Sequence, residues 1–85
     1  MAYAIQFKPA ALRQLEKLPR DVQKRIAARI QELGEDPFPA RCKKLVGEPN
    51  TWRLRVSDYR VIYQVRASIL LVLVVNIGHR REVYR

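Results

Sequence analysis

Cys42 is the only cysteine in this chain. An intramolecular disulfide is therefore excluded, and so is a zinc site built on several thiolates. Such sparing use of cysteine fits a reducing cytosol. Arg41 and Lys43 flank Cys42 and can lower a thiol pKa, but the plain expectation is an unpaired loop residue. Long apolar runs are also missing. The longest, Ile69 to Val75, falls far short of the ~20 residues that cross a bilayer. "MAYAIQFKPA" has no apolar core of secretory length, so no signal peptide is expected. With only three glycines there is no Gly-rich phosphate loop, and no paired carboxylates or metal cluster can be read from the spacing. Neither a metal nor a cofactor is expected. Acids are scarce: 8 Asp and Glu stand against 17 Lys and Arg.

What is present is enough for one domain across residues 1–85. The 48% hydrophobic content can supply a core. The net charge of +9 repels itself in any compact state and needs a reason. Nucleic acid is the commonest; an anionic membrane or an acidic protein partner are the others.

The pattern along the chain predicts an α+β domain. "YAIQF" (Tyr3–Phe7) alternates as a short strand. In "KPAALRQLEKL", Pro9 suits a first helical turn, Leu12, Leu15 and Leu18 recur at helical spacing, and Pro19 ends the element. "RDVQKRIAARIQELG" predicts a second helix. Val22, Ile26, Ile30 and Leu33 form its stripe, Asp21 serves as cap or first-turn acid, and Gly34 suits its end. Residues 35–50 hold three of the five prolines and read as an irregular linker. "TWRLRV" (Thr51–Val56) alternates, with Trp52, Leu54 and Val56 on one face and Arg53 and Arg55 on the other. Ser57–Asp58 is a tight turn. "YRVIYQVR" (Tyr59–Arg66) is a second strand, and Ala67–Ser68 a weaker turn. "ILLVLVVNIG" reads as a central strand covered on both faces. Two-residue connections require an antiparallel meander. The expected architecture is two helices on one face of a mainly antiparallel sheet of about four strands.

The charge has a telling type. After Lys44 every basic residue is arginine: Arg53, Arg55, Arg60, Arg66, Arg80, Arg81 and Arg85. Arginine forks onto phosphate and stacks on bases better than lysine does. Two readings compete: a phosphate-binding sheet face, and a solvated face with an arginine bias. Lys24, Arg25 and Arg29 have a simpler reading, as the wet side of the second helix.

The ordered set "FKPAALRQLEKLPRDVQKRI", "KKLVGEPNTWRLRV", "YRVIYQV" and "GHRREVY" resembles the RelE branch of the RelE/ParE toxin superfamily across nearly the whole chain. The resemblance implies the small α+β toxin fold and a cognate RelB-like antitoxin in a higher-order complex. It also implies metal-free cleavage of messenger RNA in the ribosomal decoding site. Arg53 and Arg55 match the family's basic pair on this strand, where the prototype has lysines. Arg60, Arg80 and Tyr84 match its catalytic positions. Arg80 and Arg81 both fit the arginine after the last strand, because the stretch before the tyrosine is shorter here. Lys44, His79 and Arg81 are expected to position the RNA backbone beside Arg53 and Arg55.

The chemistry can be weighed without the family. RNA is cut when its own 2′-OH attacks the adjacent phosphate. A catalyst removes the hydroxyl proton, neutralises charge on the phosphate and protonates the leaving 5′-oxygen. His79 is the only histidine, so a two-histidine mechanism is excluded. Arginines can clamp the phosphate, yet they stay protonated. A free tyrosine phenol ionises near ~10, and neighbouring arginines would pull Tyr84 toward tyrosinate, which makes it the candidate base. It can instead stack on a base or pack the terminus. Glu82 reads as a salt-bridge partner, and Asp58 as a turn residue. Two alternatives remain. One is a ParE-like toxin of the same fold acting on DNA gyrase. The other is a non-enzymatic nucleic-acid binder using the helices around "LPRD" as a helix-turn-helix.

Overall fold

The computed structural model describes residues 2–79. Strand β1 (Ala4–Phe7) leads into helix α1 (Pro9–Glu16) and helix α2 (Arg20–Glu35). Strands β2 (Cys42–Lys44), β3 (Thr51–Val56), β4 (Tyr59–Arg66) and β5 (Leu71–His79) follow, with one 3-10 turn (Ala67–Ile69) before the last. They form one sheet in the order β1-β5-β4-β3-β2. β1 runs parallel to β5, and every other pairing is antiparallel. The expected helix pair on a mainly antiparallel sheet is present, with five strands rather than four. The added strand is β2, three residues long, inside the proline-rich linker.

Both helices cover one face. Pro9 begins α1 with its φ already helical and without an N–H to leave orphaned. Asp21 lies in the first turn of α2 without forming a side-chain cap. The Gln23 side chain stitches the two helices together, donating to the carbonyls of Glu16 at 3.0 Å and Leu18 at 2.9 Å. Ile26, Ile30 and Leu33 present no surface to solvent and pack with Leu54, Val56, Val61, Tyr63, Val72, Val74 and Ile77. Burying each such aliphatic side chain contributes ~1.5–3 kcal/mol.

Gly34 does not end its helix, which continues to Glu35. It is buried where β1 crosses α2. The Tyr3 amide donates to the Gly34 carbonyl at 2.7 Å, and a Cβ here would sit 3.2 Å from the Tyr3 carbonyl oxygen. The residue is small because the backbones approach closely.

β5 departs from expectation as well. Its run is apolar on both faces, but the faces are covered unequally: Val72, Val74 and Ile77 are buried, whereas Leu71, Leu73 and Val75 are half-buried. A bulge changes its phase. Ile62 pairs with Asn76, yet Tyr63 pairs with Val74, leaving Val75 as the extra residue. Alternation from Val72 and Val74 alone would have buried Asn76 and exposed Ile77. The bulge reverses this, so Ile77 enters the core and Asn76 and Gly78 turn to the opposite face.

Candidate nucleic-acid interface

The face opposite the helices carries the arginines. On β3, Leu54 and Val56 are buried beneath the helices, so the period of two sends Arg53 and Arg55 outward. Register then assembles the cluster. Lys43 of β2 lies opposite Arg53, and Arg55 lies opposite Arg60 of β4. Arg41, Lys43, Arg53 and Arg55 line a groove of about 340 Å³. Like charges directly opposite on neighbouring strands destabilise a sheet. The two cross-strand pairs concentrate positive charge on this face, which suits a polyanion.

Arg60 has a second distinction. Its Nε and Nη1 are screened from solvent, which holds the guanidinium in place better than an open surface does. Gly78, its β5 partner, has no side chain to contest the space. Ile62, one step along the same face, is only 8% exposed although it lies outside the main core.

Of the residues expected at the site, the structure gathers Arg53, Arg55 and Arg60. It does not gather Lys44 with them. Lys44 pairs with Trp52, whose ring packs against the core side, so Lys44 occupies the other face. Lys43 and Arg41 take its place, and sequence reasoning missed both because a three-residue strand has no legible period. His79 also lies off the arginine face. It pairs with Tyr59, and the rings meet edge-on at 5.6 Å. With Gln14, Lys17 and Leu18 they line a separate groove beside α1. The bulge is the physical reason, since it turns Ile77 and His79 together to the helix side. Arg80, Arg81 and Tyr84 lie outside the described residues.

Tyr63 shows what a tyrosine inside this sheet cannot do. Its hydroxyl donates to the Pro37 carbonyl at 2.8 Å and is fully buried. Burial, reinforced by neighbouring Cys42 and Asp36, pushes the phenol far above its ordinary range. Tyr63 is a structural pin and no candidate base. Among the described residues no three His, Cys, Asp or Glu side chains converge as a metal site. Nor is any helix among them long and apolar enough to cross a membrane.

Comparison with known proteins agrees with this fold. A family model described as the ParE toxin of the type II toxin-antitoxin system parDE matches residues 5–84. The mRNA interferase toxin RelE of Escherichia coli K12 is 35% identical over 88 residues, spanning 99% of this chain and 92% of that protein. In the crystal structure of the intact E. coli RelBE toxin-antitoxin complex, a chain 30% identical superposes with a TM-score of 0.81, covering 92% of this chain and 96% of its own. The archaeal RelE-RelB complex from Pyrococcus horikoshii OT3 gives a TM-score of 0.84 at 25% identity, covering 96% and 99%. With a family match over nearly its whole length and RelE proteins as relatives in sequence and in fold, the chain belongs to the RelE branch of the RelE/ParE toxins of type II toxin-antitoxin systems.

Proposed function

We propose that this toxin is a ribosome-dependent endoribonuclease that cuts messenger RNA in the decoding site by 2′-OH attack, without a metal. The observation that carries the reading is the Arg55–Arg60 cross-strand pair, placed beside the groove of Arg41, Lys43 and Arg53. Arg53, Arg55 and Lys43 hold phosphates along the backbone. Arg60, oriented by its screened guanidinium, neutralises the charge that develops on the scissile phosphate. Arg80, which follows β5 in sequence, shares that role, with Arg81 as the alternative register. Tyr84 is the proposed base for the 2′-OH. The face is an open sheet, so the ribosome supplies the orientation, worth ~7–11 kcal/mol in favourable cases. The reaction takes place in the cytoplasm, where messenger and ribosomes meet.

A cognate antitoxin follows from the same charge. Solved complexes of RelE with RelB support a RelB-like partner, and a +9 toxin favours one with complementary charge. It folds on binding in a higher-order complex and keeps the arginines from RNA.

The family model's description in terms of ParE favours one second reading, inhibition of DNA gyrase. Controlled expression separates the two. Translation arrest with messenger cut on ribosomes supports the nuclease, whereas a DNA-damage response with intact messenger supports the gyrase reading. The helix-turn-helix alternative loses one reader residue, because Gln23 at the start of α2 is spent on bonds to Glu16 and Leu18.

A further inference from the structure

A second groove lies at the end of the β3–β4 ladder farthest from the Arg55–Arg60 pair. It measures about 590 Å³, and its lining includes Phe38, Lys44, Asn50, Trp52, Gln64 and Arg66. Phe38 and Trp52 form its aromatic wall, with ring centroids 4.8 Å apart and planes tilted by 58°. Phe38 is 46% exposed, a large apolar ring left in water on a basic protein. Among the described residues Lys44 and Arg66 are the charged ones of the lining, and none of its described residues is acidic. Arg66 is steadied by donating from Nη2 to Gln64 Oε1 at 3.3 Å.

We propose that this groove binds single-stranded RNA, with a base stacked on the Phe38–Trp52 wall and adjoining phosphates on Lys44 and Arg66. Aromatic faces flanked by cations are the general device for holding unpaired nucleotides. The amides of Asn50 and Gln64 can meet base edges. An acidic peptide would use the cations but leave the open ring face without a matching group. The edge strand β2 joins this groove to the arginine face. Lys43 points to the arginines and Lys44, the next residue, to the aromatic wall. An RNA strand passing around that edge meets positive charge on both sides. The inference rests on the reading of the chain as acting on RNA, and its test reads binding rather than cleavage.

Trp52 is the only tryptophan, so its fluorescence reports the groove directly. The full chain carrying Arg60→Ala, which spares the probe, is titrated with oligoadenylate. A saturable change in Trp52 emission is expected. Phe38→Ala should weaken binding by about tenfold or more, the usual loss for one stacked base. Lys44→Gln with Arg66→Gln should also weaken it and reduce its salt dependence. These two side chains are exposed, so the double variant carries the test even where Phe38→Ala unfolds. No change in emission overturns the proposal. So does a change that survives Lys44→Gln/Arg66→Gln but vanishes in Arg53→Gln/Arg55→Gln, or one that polyglutamate reproduces equally. Cleavage on ribosomes without a Trp52 response sinks this site alone. A Trp52 response with no cleavage by the wild-type chain on ribosomes sinks the nuclease reading and leaves the groove.

Discussion

Three side chains test the reading at the scale of single residues. Arg60→Ala should lower single-turnover cleavage on programmed ribosomes by ~10²–10³-fold, the usual loss of one transition-state charge donor. Its melting temperature should stay close to wild type, because Arg60 lies on the sheet face opposite the core cluster. A sharp fall in melting temperature would make Arg60 structural instead. Tyr84→Phe separates proton transfer from stacking, since phenylalanine keeps the ring and loses the hydroxyl. A base role predicts a ~10²–10⁴-fold loss, together with wild-type rates that climb with pH as tyrosinate forms. Wild-type rates in Tyr84→Phe at every pH would leave the arginines carrying the reaction. Tyr63 gives a stability test whose sign is fixed by burial. Its folded phenol is raised, whereas the unfolded phenol ionises near ~10. Its stabilisation is therefore complete below ~10 and declines as pH rises above that value. Denaturant titrations should show a shallower alkaline decline in Tyr63→Phe than in wild type.

At the scale of elements, the end of β5 depends on a helix. β1 pairs with β5 only from Leu71 to Val74, so the strand continues beyond its parallel neighbour. Gln14 of α1 takes over, its Oε1 accepting from the Ile77 amide at 2.8 Å. Gln14→Ala leaves that buried N–H without its acceptor, a cost of ~1–3 kcal/mol. Chemical denaturation should register it, and hydrogen exchange at Ile77 should accelerate more than at Val72. Equal exchange at both amides would deny Gln14 this local role. The same strand shows where sequence reading stops. Helices α1 and α2 were legible because Leu15, Ile26, Ile30 and Leu33 repeat with the helical period and prolines bound both elements. β3 and β4 were legible because arginines alternate with buried residues around a two-residue turn. The bulge at Val75 was not legible. A run of valines and leucines has no polar residue to mark its phase, and the shift shows only in the register, where Tyr63 pairs with Val74 and Ile62 with Asn76. That shift moved His79 away from Arg60. β2 was hidden for the opposite reason. Three residues show no period, and Lys43 and Lys44 became distinguishable only once their partners on β3 were known.

For the whole molecule, the question is whether +9 acts as a diffuse field or as a site. A diffuse field treats all basic residues alike. The structure divides them: Lys24 and Arg25 are exposed on α2, away from the sheet, whereas Arg53 and Arg55 share a groove with Arg41 and Lys43. Counterion release turns this division into a measurable slope. Each phosphate contact with a single strand contributes about −0.7 to the change of log affinity with log salt. Arg53→Gln with Arg55→Gln should flatten the slope for a short single-stranded RNA by about that amount per lost contact. Lys24→Gln with Arg25→Gln changes the net charge equally and should leave the slope near wild type. Affinities measured across a salt series for the three proteins decide the matter. Equal flattening in both double variants would mean that RNA meets a uniform basic surface. The cross-strand arginines would then be a consequence of composition, and the nuclease reading would lose the observation that carries it.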